Sequence, residues 1–194
     1  MRGRAHVPAE RQCRVQELGD GSRSSVSGAD DRHREGPWIR ATDAVTVVSP
    51  RGSDPRWSWT DQSPPNYVLR AHALLGRTVD TGRVWDIAAT ARWLHENDSQ
   101  DVPVVVAGRG ASGILAAYAA LFEPSIQAVV TIEPPASHRQ GPILLNVLRI
   151  LDIPEVLGLL APRELTIIDG PAMVSERVRS VYPAAGVADH LHGS

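Results

Sequence analysis

Residues 102–133, VPVVVAGRGASGILAAYAALFEPSIQAVVTIE, decide the fold. Val102 to Ala107 is a near-continuous apolar run, the pattern of a strand buried on both faces. The proline at position 103 suits only the first residues of such a strand. Gly108 to Gly113 (GRGASG) is a tight turn. Ile114 to Phe122 is apolar all round, which predicts a helix lying beneath other elements. Pro124 ends that helix, and Ala128 to Glu133 is a second strand. Strand, crossover helix, strand is the unit of a parallel sheet.

Working outward, Ala44 to Ser49 (AVTVVS) is a β-branched run closed by Pro50 and Gly52, hence a buried strand. Residues 50–66 are rich in Pro, Ser, Asp and Trp and read as a long loop, with Trp57 and Trp59 as candidates to line a cleft or cover a sheet edge. Tyr67 to Leu75 has helical composition and stops at Gly76. From Gly82, residues Val84, Ile87, Ala88, Ala91 and Leu94 recur at helical spacing up to Asn97. Downstream, Ile143 to Leu151 and Glu155 to Leu160 read as helices, Glu164 to Asp169 as a strand and Val174 to Val181 as a helix. Strands alternate with helices, so the class is α/β, with a mostly parallel sheet and flanking helices.

Several functions are excluded by composition. All 20 basic residues are Arg. A chain without lysine has neither a Schiff-base lysine nor a P-loop lysine. Cys13 is the single cysteine, so no disulfide within the chain and no cysteine-based zinc cage exists. The formal net charge of −2 argues against a nucleic-acid partner. The longest apolar run, Ile114 to Phe122, is far short of the ~20 residues a spanning helix needs. No apolar stretch follows the arginines of Met1 to Glu10, so the reading is a cytoplasmic chain without a secretory signal.

Residues 1–36 differ from the rest. They hold seven Arg, six Asp or Glu and no aromatic residue, and their apolar residues lack period. Such composition buries too little surface to offset ordering entropy, so this segment is expected to be disordered, or to reflect a mis-called start. Residues 37–194 then form the folded domain.

The glycine-rich turn admits two readings. Gly108, Gly110 and Gly113 match the dinucleotide fingerprint G-x-G-x-x-G, and Glu133 ends the next strand 20 residues after Gly113, where an acidic residue would hold a ribose hydroxyl. That reading makes the chain a nucleotide-cofactor oxidoreductase. The other reading is the nucleophile elbow G-x-S-x-G, whose sharp turn exposes the attacking side chain. With Gly108 as the leading glycine, the nucleophile position is Gly110. Ser112 falls two residues late and reads as a helix-start residue bonding backbone.

From Val45 to about Asp189 the chain resembles the acetyl xylan esterase-like branch of the α/β-hydrolases, which includes bacterial esterase relatives. VTVVSPRG (45–52) resembles that family's strand and D-x-R-G turn, with Ser49 where Asp is usual. LGRTVDTGRVWDIAATARWL (75–94) resembles its Leu-Gly-Arg turn and the Asp-containing helix before the elbow. VVVAGRGASGILAAYAALFEPSIQAVV (104–130) resembles its elbow, Ala-rich helix and next strand. LDIPEVLGLLAPRELTIID (151–169) resembles its Leu-Asp-Ile-Pro turn and Ala-Pro-Arg strand. One strand precedes the elbow strand in this reading, which implies a partial α/β-hydrolase fold without its front strands.

The resemblance implies acyl transfer, in which serine attacks an ester carbonyl, histidine takes its proton and an acid orients the histidine. Small esters or acetylated sugars are the implied ligands, and no cofactor or metal is implied. The Ala111 N–H is the implied oxyanion donor. Asp169, at the end of its strand, is the candidate acid. His190 is the candidate histidine; with His192 it lies in the tail DHLHGS, which the resemblance makes the start of the final strand, whereas the family histidine follows that strand. His138 and His72 read as ordinary loop and helix residues. Because Gly110 carries no side chain, the resemblance implies a pseudoenzyme or a fragment, and a third reading is a non-catalytic ligand-binding module. Gly110 is expected at the tip of the turn with positive φ, which glycine tolerates.

Overall fold

A computed structural model describes residues 14–18, 44–53, 67–97 and 103–193. Six strands form one sheet: β1 (Arg14–Leu18), β2 (Ala44–Val48), β3 (Val104–Arg109), β4 (Ile126–Ile132), β5 (Glu164–Ile168) and β6 (Leu191–Gly193). Their order is β2-β1-β3-β4-β5-β6, and every neighbouring pair is parallel. The predicted α/β class and mostly parallel sheet are therefore what the chain adopts.

β1 corrects one expectation. Arg14–Leu18 comes from the segment read as disordered, yet it is an interior strand, paired with β2 on one side and β3 on the other. The segment's polar composition concealed it. RVQEL has only two apolar residues, and partners distant in sequence, AVTVV and VVVAGR, supply the ladder. Among the described residues two strands, not one, thus precede the strand of the glycine-rich turn. The remainder of 1–36, including Cys13, lies outside the described residues, as do Trp57 and Trp59.

The helices are α1 (Tyr67–Leu74), α2 (Val79–Glu96), α3 (Ala111–Phe122), α4 (Ile153–Gly158) and α5 (Ala172–Ala184). None among the described residues is long and apolar enough to cross a membrane. α2 begins three residues before the predicted Gly82 because Thr78 caps it, its Oγ1 accepting from the Thr81 N–H at 3.0 Å. α3 is buried from Gly113 to Ala120, as its all-round apolarity requires. It lies on β3 and β4 with α2 and α4 at its flanks. Strand alternation sends Val104, Val106, Val129, Leu165 and Ile167 into this helical layer, while Ala107 and Val130 face the opposite side with Val105, Ile132 and Ile168.

Two polar ties brace this layer, one to the turn after β2 and one between its helices. The turn after β2 is clasped onto α2: the Arg51 Nε donates to Asp86 Oδ2 at 2.8 Å, and the Arg83 guanidinium donates to the Arg51 and Gly52 carbonyls. At the other end Glu123, buried at the C-terminus of α3, receives the Arg92 guanidinium of α2 at 2.7 Å.

The predicted helix over Ile143–Leu151 does not form. Asn146 takes a left-handed conformation, with φ of 60°, and only a 3₁₀ turn follows at Val147–Arg149. Apolar spacing alone could not reveal this, because asparagine tolerates the left-handed region and breaks a helix without a proline or glycine signal.

Candidate functional site

The C-terminal edge of the sheet gathers the residues of interest. The strand order reverses between β1 and β3, and crevices at such a switch point are where open α/β sheets bind ligands. β3 ends there at Arg109 and α3 starts at Ala111, so one residue, Gly110, makes the whole turn. Its φ is 59° and its ψ −132°, a conformation that side-chain-bearing residues adopt only under strain. The expectation of positive φ at the tip of the turn is met. The Gly110 N–H donates to the Ile132 carbonyl at 2.7 Å, which pins the turn to the end of β4.

The two flanking glycines have a different task. A Cβ on Gly108 would lie 2.6 Å from the Gly113 nitrogen, and one on Gly113 would lie 2.6 Å from the Gly108 carbonyl oxygen. Helix and strand cross there backbone to backbone. At Gly110, by contrast, an added Cβ meets nothing within 4 Å. Conformation, not crowding, is what makes glycine comfortable at the tip, and there is room for a side chain that the sequence does not supply. Gly110→Ala is accordingly expected to fold and to cost about 1–2 kcal/mol, the strain of left-handed backbone alone. Chemical denaturation of the purified variant measures that loss.

Ala111 is the first residue of α3, so its N–H has no partner within the helix. Ser112 is half-buried on the first helical turn, beyond the tip, which Gly110 occupies. The segment after β4 folds against the helix start: a Cβ on Gly141 would come within 3.8 Å of the Ala111 Cβ.

Asp169 follows β5 and is exposed, with φ of 52°. Ile132 pairs with both Arg109 and Ile168, so Gly110 and Asp169 stand level, two strand spacings or roughly 10 Å apart. The structure brings Gly110, Ala111, Ser112 and Asp169 to one edge.

It does not bring His190 there. Leu191 pairs with Leu165 at the beginning of β5, so His190 lies at the opposite edge of the sheet, five residues below Asp169 in register, or roughly 16 Å. Its Nδ1 donates to the Pro162 carbonyl at 2.6 Å. His192, opposite Thr166, is also below the site edge. His190 therefore does not reach the turn at Gly110. The tail does begin the final strand, as the resemblance implied, and a strand that starts at one edge cannot present its first residues at the other.

Glu133, the residue of the dinucleotide reading, follows β4 with φ of 49°. Arg109 Nη1 lies 2.6 Å from its Oε2, and both side chains are more than half exposed. The acidic residue thus carries an arginine instead of an open hydrogen-bonding edge. Gly108 and Gly113 serve helix–strand packing, a demand common to both readings.

His138 had no signal in the sequence. It is buried, and its Nδ1 lies 3.0 Å from the Pro142 carbonyl, which can only accept, so Nδ1 carries the proton. Nε2 then accepts from the Tyr118 hydroxyl of α3 at 2.9 Å. Burial, with the nearby Asp152 charge, pushes Tyr118 up to about 12, so it stays protonated as this donor. Asp152 caps α4 and accepts the His138 and Ile153 backbone N–H groups at 2.7 and 2.8 Å. With both ring nitrogens engaged, His138 is a strut for the segment after β4. Among the described residues no group of three or more His, Cys, Asp or Glu converges as a metal site.

A parallel sheet in this order, turning through a left-handed glycine into a buried helix, has the fold of solved α/β-hydrolases. Solved structures of that class superimpose on the chain. A candidate acetyl xylan esterase from Bacteroides fragilis matches with a TM-score of 0.61 and 13% identity over 95% of this chain and 58% of its own. A glucuronoyl esterase of carbohydrate esterase family 15 from Caldicellulosiruptor kristjansonii matches with a TM-score of 0.59 and 16% identity, over 97% and 65%. A candidate dienelactone hydrolase from Klebsiella pneumoniae gives 0.55 and 15%, over 96% and 75%. The chain thus spans about three fifths of the length of the two esterases. No family model matches the sequence, and no curated relative is found by sequence.

Proposed function

We propose that this chain is a relative of carboxylic ester hydrolases, of the acetyl esterase kind, whose turnover is lost or strongly impaired at the nucleophile. The observation that carries the reading is Gly110. It occupies the elbow tip in the elbow's strained conformation, with open space around it and no atom to attack with. The neighbouring Ala111 N–H and the level Asp169 are the remains of an acyl-transfer site, and His190 at the far edge is no base for it. The ligand class is a small ester or an acetylated sugar, held without cleavage. The structural neighbours named for acetyl xylan and glucuronoyl esters support that class at the level of fold.

The test is p-nitrophenyl acetate turnover by wild type, Gly110→Ser and Ser112→Ala. Wild type is expected at background. Gly110→Ser is also expected at background, because a hydroxyl is a weak nucleophile until a base lies within about 3 Å, and triad members act as a unit. Wild-type turnover abolished by Ser112→Ala would overturn the reading and make Ser112 the nucleophile.

A further inference from the structure

Within the segment after β4, four large apolar side chains stand exposed: Ile143 at 61%, Leu145 at 44%, Leu148 at 48% and Ile150 at 83%. The cause is the left-handed Asn146 and the 3₁₀ turn behind it, which replace a helix that would have turned part of this set inward. Leu144 and Val147 do pack on the core. Between the two sets runs a groove of about 250 Å³, lined by His138, Pro142, Leu144, Val147, Leu148 and Arg149 among others.

The walls are held in place. His138, itself braced by Tyr118, fixes the Pro142 carbonyl, and the next residue donates its backbone N–H from Ile143 to Asp80 Oδ2 at 2.7 Å. At the rim is Arg149, exposed and in no ion pair among the described residues. Ligand pockets run to about 300–1,000 Å³, so this groove suits a small chain and is too small for a partner helix. A guanidinium without a carboxylate partner matches a carboxylate in two parallel hydrogen bonds.

We propose that this groove binds a medium-chain aliphatic carboxylate, its chain along Leu144, Val147 and Leu148 and its carboxylate on Arg149. The groove lies beside the start of α3, since Pro142 lines it and the preceding Gly141 comes close to Ala111. Calorimetric titration with octanoate tests it. Wild type is expected to give saturable binding tighter than about 1 mM. Arg149→Gln, at an exposed position, is expected to bind about tenfold more weakly, and octan-1-ol is expected to lose as much on wild type. Leu148→Trp fills the groove and is expected to abolish binding, whereas Glu176→Gln, exposed on α5 and outside the groove, leaves it unchanged. Absence of saturable heat with wild type, or equal binding by Arg149→Gln, would overturn the proposal. Binding by Leu148→Trp equal to that of wild type would also overturn it and place the acid outside this groove. Ester turnover plays no part in these readouts, so the outcome is independent of the elbow's fate.

Discussion

Gly108→Ala is expected to destabilise the fold by about 3 kcal/mol, the upper range for overpacking a core. The added methyl would lie 2.6 Å from the Gly113 nitrogen and Ser112 carbonyl carbon and 2.8 Å from the Ser112 oxygen. All three are backbone atoms at the start of α3, so no side-chain rotation relieves the clash and the helix must lift from the sheet. α3 supplies much of the core, from Ile114 to Ala120, so lifting it disturbs its packing on β3, β4, α2 and α4. For a chain of this length the loss corresponds to a melting-temperature drop of about 6–12 °C. Thermal unfolding beside Gly110→Ala is the measurement, and equal losses in the two variants would show that helix and strand do not cross closely at Gly108.

Asp152→Ala is expected to cost about 2–3 kcal/mol, the sum of a lost helix cap and a buried donor left unpaired. Its carboxylate caps α4 in a reciprocal capping box with Glu155 and accepts the His138 N–H, so its loss also frees the strut of the segment after β4. Burial by itself would raise the Asp152 pKa, but the Ser137 hydroxyl and the His138 and Ile153 N–H groups outweigh it and hold the carboxyl below its ordinary value. A carboxylate depressed in the folded state adds stability that is present above its unfolded pKa of about 3.9 and is lost as pH falls through the folded value. Glu123, held down by Ser125 and Arg92 against its own burial, shifts in the same direction. Stability is therefore expected to be flat near neutrality and to fall below about pH 4. Urea midpoints across this range check it, and the acid limb should be shallower in Asp152→Ala. An unchanged limb would mean that Asp152 does not carry the segment.

Much of the fold was legible because most of its elements announce themselves locally. VVVAGR and IQAVVTI are apolar runs that a buried strand explains, whereas AVTVV, read as a buried strand, lies at the end of the sheet with Val47 exposed; the Ala-rich, all-round apolar helix between VVVAGR and IQAVVTI implies a parallel crossover beneath other helices. The glycine at the tip of the turn was legible too, since spacing from Gly108 to Gly110 needs no coordinates. RVQEL was not legible. Its alternation is weak, and its place in the sheet comes from two partners distant in sequence. The helix drawn through Ile143–Leu151 failed for a related reason, because the preference of Asn146 for a left-handed turn is settled by how the surrounding segment packs.

The sequence by itself determined the α/β class, the position of the strand–turn–helix unit and the glycine at its tip, because period, glycine spacing and residue identity are local properties. Tertiary structure alone decided which residues share an edge of the sheet. Parallel register sets Asp169 level with Gly110 and His190 at the far end of the neighbouring strand, and it is the long-range ladder, invisible to any window of sequence, that assigns each strand end to one edge or the other.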